Sequence, residues 1–159
     1  MSLRKKMLLG VLALLSAAVA TYFLIEFFTT DQQRVERVIR RLAGRIESRD
    51  APGFCHYLTE DYADSNGFNR LSMRAFLGQG LYQLFRVSVR LDAMEIQVTG
   101  TEASAEFTAY ADAEARDHGD QPPWHHQTQV RLRLRKADGE WRVRHAEYAL
   151  PPIIGREGF

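Results

Sequence analysis

The sequence predicts an α+β domain that follows an apolar N-terminal segment. Three observations support this prediction. Residues 7–25 contain no charged side chain, the apolar residues between positions 35 and 84 recur at helical spacing, and those from position 85 onward alternate with polar residues. Helices that precede a run of strands, instead of alternating with them, are typical of α+β proteins.

The N-terminal segment is predicted to anchor the chain in a membrane. As a helix, residues 7–25 would be roughly 28 Å long, close to the ~30 Å thickness of a hydrocarbon core. The three basic residues at positions 4–6 are expected to stay in the cytoplasm. Residues 1–28 are therefore interpreted as a single-pass signal anchor in a bacterial inner membrane, and residues 29–159 as a periplasmic or otherwise extracytoplasmic domain.

The alternative is a cleaved signal peptide, which would leave a soluble periplasmic domain. Ala18-Val19-Ala20 has the small-x-small pattern of a cleavage site. The apolar run continues beyond Ala20 through Tyr22-Phe23-Leu24-Ile25, which favours the uncleaved anchor. Both interpretations export the domain.

Composition excludes several function classes. Of the 21 basic and 20 acidic residues, three basic residues and Glu26 belong to the N-terminal segment, which leaves 18 basic and 19 acidic residues and a formal charge of −1 for the rest. Nucleic acid is not an expected partner, because its binding needs a net basic surface. The single cysteine, Cys55, permits no internal disulfide. No cofactor is predicted, since the chain has neither a glycine-rich phosphate loop nor a nucleophile elbow.

Three helices are predicted first. Thr30 and Gln33 form a capping-box pattern that begins an amphipathic helix of about five turns. Asp50-Ala51-Pro52 begins a short second helix, residues 59–70 are expected to form a loop, and Ser72 is expected to cap the third helix. The apolar stripes of the first and third helices are Val35, Val38, Ile39, Leu42 and Ile46, and Met73, Phe76, Leu77, Leu81 and Leu84.

Five alternating segments are then predicted as strands with one apolar and one polar face, as in an antiparallel sheet covered on one side. The connection Lys136–Glu140 contains the Asp-Gly pair of a tight hairpin. The inward positions are Phe85, Val87, Val89 and Leu91; Met94, Ile96 and Val98; Ala105, Phe107 and Ala109; Val130, Leu132 and Leu134; and Trp141 and Val143.

Three patterns carry a resemblance to a known family. They are the short helix with Phe54-Cys55-His56-Tyr57-Leu58, the stretch from Leu58 to Gly67, and the closing hairpin from Lys136 to Val143. Residues 31–150 resemble the nuclear transport factor 2-like superfamily, also called SnoaL-like or cystatin-like. The resemblance implies a cone-shaped domain of three helices packed on a curved antiparallel sheet, a pocket at its wide end, and frequent dimers through the sheet. It fixes no activity, because the superfamily includes isomerases, epoxide hydrolases, dehydratases and members without chemistry.

Four residues are catalytic candidates for a pocket enzyme: His145, His126, Asp61 and Tyr62. Strand phase places both histidines on the apolar face, His145 together with Glu147, while Asp61 and Tyr62 approach from the helical side. A histidine beside a carboxylate can act as a general base. The competing interpretation is that they are ordinary strand-end and loop residues. No metal site is predicted, because the histidines at positions 118, 125 and 126 match no standard ligand spacing.

The polar face of the predicted sheet is the candidate partner-binding surface. Three acidic residues, Glu95, Glu102 and Glu106, are expected to share it, which leaves a surplus of arginine. Such a surplus suits a dimer interface, an acidic partner or anionic headgroups, and the competing interpretation is a solvated face of cross-strand ion pairs. The arginines expected on this face are Arg86, Arg90, Arg131, Arg133, Arg135, Arg142 and Arg144.

The sequence therefore favours a membrane-anchored, non-catalytic envelope domain that binds a partner protein or a small apolar ligand and forms a homodimer. The alternative is a small pocket enzyme of the isomerase or hydrolase type, of the SnoaL-like class. Neither the ligand nor the partner follows from the sequence.

Overall fold

The computed structural model describes Ser16, residues 30–116 and residues 123–150. Residues 30–116 and 123–150 form three helices and five strands. The strands form one curved sheet with the order β1-β5-β4-β3-β2, which confirms the predicted α+β class. The elements are α1 (Asp31–Glu47), α2 (Ala51–His56), β1 (Leu58–Asp64), α3 (Arg70–Tyr82), β2 (Leu84–Thr99), β3 (Glu102–Ala115), β4 (Trp124–Ala137) and β5 (Glu140–Glu147).

The predicted membrane anchor at residues 7–25 lies, apart from Ser16, outside the described residues. Within residues 30–116 and 123–150, no helix combines the length and the apolar character that crossing a membrane requires. The anchor and the domain boundary after residue 28 therefore stay predictions.

The first two helices begin at the predicted caps. The Thr30 hydroxyl accepts a hydrogen bond from the Gln33 backbone N–H, and the Gln33 side chain accepts one from the Thr30 N–H, both at 3.3 Å. This reciprocal pair satisfies two N–H groups that a helix start leaves without partners. Asp50 caps α2 by accepting from the Gly53 N–H at 2.8 Å. The buried stripe of α1 consists of Val35, Val38, Ile39 and Leu42.

The third helix begins earlier than predicted. Its N-cap is Asn69, whose side chain accepts from the Ser72 N–H at 2.9 Å, while the Ser72 hydroxyl accepts from the Asn69 N–H at 2.9 Å. Ser72 is thus the second member of a capping box and not the cap. Met73 and Leu81 are buried as predicted, whereas Leu84 belongs to β2 and is only half-buried.

The predicted loop over residues 59–70 is wrong for its first half, because Leu58–Asp64 is an edge strand parallel to β5. The sheet is therefore mixed and not wholly antiparallel. The segment lacks an obvious strand pattern because Glu60 and Asp61 both face solvent. The turn that follows contains Gly67 at φ 84°, a left-handed conformation that suits glycine.

The strand β2 also differs from the prediction. Two segments predicted as separate strands form one strand, β2, interrupted by a register shift between Asp92 and Glu95 with Ala93 at φ 51°. The predicted Asp-Gly hairpin between β4 and β5 is present, with φ 53° at Asp138 and 79° at Gly139.

The core lies between the helices and one face of the sheet. Its most buried side chains are Val35, Ile39, Leu58, Leu134 and Val143. The start of α1 is fixed to the β4–β5 hairpin through Asp31, which accepts from Lys136 Nζ at 2.9 Å and from Trp141 Nε1 at 3.3 Å.

Candidate functional site

A bulge in β5 decides which side of the sheet its polar residues face. The β4–β5 register slips by one residue between Val143 and His145, which makes Arg144 the extra residue. Beyond the bulge the alternation reverses, so Ala146 is buried, and His145 and Glu147 lie on the face opposite the core, hereafter the outer face. The prediction that His145 and Glu147 continue the apolar phase is wrong, because one inserted residue shifts the whole alternation.

The strand β1 separates two further catalytic candidates. Asp61 lies on the outer face, where its carboxylate contacts Arg135 at 3.0 Å and Arg144 at 3.3 Å. Tyr62 points to the other side, is 4% exposed and donates a hydrogen bond to Asp64 at 3.2 Å. The expectation that Asp61 and Tyr62 approach one pocket mouth is wrong, because successive residues of a strand face opposite sides.

A buried polar cluster surrounds Asp64 on the core side. The hydroxyls of Tyr62 and Tyr148 donate to Asp64 Oδ2 at 3.2 and 2.8 Å, and the backbone N–H groups of Asn66 and Phe68 donate to Oδ1 at 2.9 Å each. Burial is the main cause that raises the pKa of both tyrosines, and the neighbouring Asp64 carboxylate raises the pKa of each further. Both hydroxyls stay protonated and bonded to the carboxylate. We call these residues the Asp64 cluster and assign it a structural role.

His126 lies on the core side, as its strand phase predicts, and is half-buried. Its Nε2 is 3.3 Å from the Ala149 carbonyl oxygen, and its ring stacks on Trp124 with 5.3 Å between centroids. The Ala149 N–H in turn donates to Thr128 Oγ1 at 3.1 Å. Within the described residues no carboxylate bonds to His126, so it lacks the partner that orients and activates a catalytic histidine.

The histidine–carboxylate contacts of the described residues lie on the outer face. His125 contacts Asp112, and His145 Nε2 is 3.6 Å from Glu147 Oε1. Their side chains are 34–72% exposed, so water competes with any proton transfer to a substrate. In residues 30–116 and 123–150, no three potential ligands group closely enough to hold a metal, and His118 lies outside these ranges.

The arginines predicted on the outer face are largely neutralised. Asp61, Asp112, Glu114 and Glu147 join the three acids expected there, so the predicted arginine surplus is wrong. A surplus was predicted because the strand β1, the end of β3 and the β5 bulge, which supply these four acids, could not be read from the sequence pattern. The partners are Glu114 for Arg86 (3.9 Å), the Tyr110 ring for Arg90 (4.3 Å), Glu106 for Arg131 (3.3 Å), and Asp61 for Arg135 and Arg144 (3.0 and 3.3 Å).

Arg133 is the exception on this face. It is exposed, and among the described residues it has no ion-pair partner. Its register neighbours are Ser104 on β3 and His145 on β5, and neither supplies a negative charge. Within the part of the chain that the structure describes, the guanidinium of Arg133 is therefore not compensated by an acid.

The seventh arginine, Arg142, takes part in a different feature. A cleft of about 310 Å³ lies between α1, the end of α2 and the β4–β5 hairpin, and Arg142 lines it. A neighbouring depression of about 540 Å³ shares Arg41 and Tyr57 with the cleft. We call the first feature the arginine cleft; its charged and aromatic lining residues are Arg34, Arg37, Arg41, Arg142, Glu140, His56, Tyr57 and Trp141.

The electrostatics of the arginine cleft are one-sided. Glu140 is its one acidic lining residue, and Arg142 Nη2 donates to it at 3.0 Å, which lowers the Glu140 pKa. The Arg142 Nε atom is buried and has no hydrogen-bond partner among the described residues. Leaving such a donor without a partner costs about 1–3 kcal/mol. The sequence pattern did not reveal the cleft, because strand phase does not say how closely α1 approaches the β4–β5 hairpin.

The sequence matches no family model and no curated protein. Solved structures do match. A nuclear transport factor 2-like superfamily protein from Salmonella enterica is 24% identical, with a TM-score of 0.64 over 80% of this chain and 96% of that one. This chain has the nuclear transport factor 2-like fold.

Two further structures of the nuclear transport factor 2-like fold are from Novosphingobium aromaticivorans. One is a candidate scytalone dehydratase with 17% identity and a TM-score of 0.68, covering 81% of this chain and 86% of its own. The other is a protein with a cystatin-like fold, with 19% identity, a TM-score of 0.62 and coverage of 87% and 90%. At such identities the likeness shows the fold alone, and activity has to be argued from this chain's own residues.

Proposed function

We propose that this chain is a non-catalytic binding domain that docks a partner protein of the bacterial envelope through the outer face of its sheet. The observation that carries the proposal is the guanidinium of Arg133, which has no ion-pair partner among the described residues, whereas the flanking arginines at positions 131 and 135 do. The predicted anchor at residues 7–25 would hold the domain at the inner membrane. A second copy of the chain is the competing occupant of this face.

The core side of the sheet supports a non-catalytic role. Phe107 and Trp141 are 5% and 3% exposed and belong to the buried core on the inner face, and Phe76 packs against the same core. In the Asp64 cluster the tyrosine hydroxyls donate to the Asp64 carboxylate, and His126 bonds to a backbone carbonyl, so these groups are already paired within the domain. A pocket enzyme needs a histidine or an acid that is poised within a water-depleted cavity, and the described residues offer no such pair.

The distribution of charge around Arg133 favours docking of a partner on the outer face. Along β4, the flanking arginines at positions 131 and 135 are paired with Glu106 and Asp61. An acidic side chain of a partner would meet one guanidinium that has no competing internal acid. Arginine is enriched among the residues that dominate binding energy, and a charge match of this kind also directs the encounter.

The test is photo-crosslinking in intact cells from a probe at Ser104, which lies opposite Arg133 in the β3–β4 register. The adduct with a different envelope protein should fall by about tenfold in Arg133→Glu, because a favourable charge contact becomes repulsive. Arg40→Glu is the matched control, since it makes the same charge change on the exposed side of α1. His145→Ala should leave the adduct unchanged.

Two results would contradict the proposal. An adduct formed only with a second copy of this chain would identify the outer face as a dimer interface. An adduct that survives Arg133→Glu, or that disappears with His145→Ala alone, would remove Arg133 from the docking surface.

A further inference from the structure

We propose that the arginine cleft binds a phosphate monoester group. The cleft does not include Arg133, and the proposal does not depend on a partner protein. The cleft brings three arginines of α1 together with Arg142 of β5, and one acid lines it.

The α1 arginines form a row of like charge. Arg34, Arg37 and Arg41 are three and four residues apart, so they share one helix face and repel one another. Arg34 interacts electrostatically with Asp31. Arg37 and Arg41 are the members of the row that form no ion pair among the described residues. The other acids of α1 do not neutralise it: Glu36 pairs with Arg40, and Glu47 accepts from the Val89 N–H.

Arg142 closes the opposite side of the cleft. Its Nη2 donates a hydrogen bond to Glu140 at 3.0 Å, so the negative charge of Glu140 is largely compensated by Arg142. Its Nε remains a buried donor without a partner within the described residues. A guanidinium offers its donors in one plane and matches the oxygen spacing of a phosphate, so the planar fork of Arg142 suits an anion in the cleft.

The charge and the size of the cleft favour phosphate over a carboxylate. A phosphate monoester carries a charge of about −1.5 to −2 and three acceptor oxygens, which suits several guanidinium groups at once. One carboxylate would offset only one of them. The volume of about 310 Å³ is at the low end for ligand sites, which suits a small head group. Tyr57 and His56 add further ring and donor contacts at the wall.

The phosphate monoester could belong to a free metabolite or to a lipid such as phosphatidic acid. The predicted membrane span ends at Ile25, and α1 begins at Asp31. Six residues reach at most about 20 Å, so an inserted anchor would keep the start of α1 close to the headgroups. The two sources share the same chemistry at the cleft, and the experiment separates them.

The experiment is calorimetric titration of the full chain in neutral-detergent micelles at fixed ionic strength. The two ligands are glycerol 3-phosphate and dioctanoyl phosphatidic acid. The double variant Arg37→Gln/Arg41→Gln should weaken binding of the preferred ligand by at least about tenfold. Its matched control is Arg40→Gln/Arg133→Gln, which removes the same charge outside the cleft and should stay within about twofold of the wild type.

A third variant guards against a fold defect. Arg142→Lys keeps the charge and loses the planar fork, and should weaken binding by about tenfold. Tighter binding of phosphatidic acid than of glycerol 3-phosphate would identify a lipid headgroup, and equal affinities would identify a free ester. Absence of binding to either ligand up to about 10 mM, or equal losses in the two double variants, would overturn the proposal. Neither result would change the Ser104 crosslink, so the two proposals fail independently.

Discussion

Replacing Asp64 by alanine should destabilise the domain by about 2–4 kcal/mol. The carboxylate is 8% exposed and accepts four hydrogen bonds. Tyr62 is 4% exposed, and removing the charged acceptor of its hydroxyl costs about 1.5–3 kcal/mol. Tyr148 is half-buried, so water recovers part of its loss, and the two turn N–H groups lie close to solvent and add little. The sum gives the expected range.

The measurement is urea unfolding of residues 29–159, followed through tryptophan fluorescence, to which Trp141, 3% exposed in the folded domain, contributes. Asp61→Ala is the matched control, because it removes a carboxylate from the same strand whose ion pairs with Arg135 and Arg144 are exposed. Its cost should be below about 1 kcal/mol. If Asp64→Ala cost no more than Asp61→Ala, the cluster would not be structural, and its buried acid would again be a candidate for chemistry.

Three further predictions concern pH and the backbone. Stability should fall above pH 10.0, the ordinary tyrosine pKa, because Tyr62 and Tyr148 keep their protons in the folded state and lose them in the unfolded state. Urea titrations at high pH should show a shallower fall when both tyrosines are replaced by phenylalanine. Gly53→Ala should cost about 1–2 kcal/mol, since a Cβ would lie 2.1 Å from the carboxylate that caps α2. At Gly44 a Cβ would meet nothing within 4 Å, so Gly44→Ala should stabilise α1 by up to about 1 kcal/mol. Thermal unfolding of the two variants measures the opposite changes in stability. The Lys136 hydrogen bond lowers the pKa of Asp31, so wild-type stability should be present above pH 3.8 and decline as the pH falls through the lower folded-state pKa, with a smaller decline in Asp31→Asn by acid titration.

The sequence predicted those parts of the fold that local interactions determine. The Thr30–Gln33 capping box and the Asp138-Gly139 turn involve residues at most three positions apart, so their residue types suffice to predict them. The strand β1 depends on a parallel partner about eighty residues away in β5. Its polar residues Glu60 and Asp61 look like loop residues until that pairing is known.

The candidate site was harder to predict, for the same reason. Strand phase assigned every residue of β5 to a face on the assumption of unbroken alternation, and one extra residue, Arg144, reversed the assignment of His145 and Glu147. The arginine cleft depends on the approach of α1 to the β4–β5 hairpin, and no local pattern encodes that distance.

The bulge in β5 also explains how one strand contributes to two surfaces. Before the bulge, Arg142 lies beside α1 and lines the arginine cleft, and at the bulge Arg144 contacts Asp61 on the outer face. A change that shifts the register of β5 would therefore disturb both surfaces and could not assign a function to either. The decisive variants lie elsewhere: Arg133 changes the outer face alone, and Arg37 with Arg41 changes the cleft alone. Because these positions share no contact within the described residues, their effects should be additive, and any strong coupling between them would mean that the two surfaces bind one common ligand.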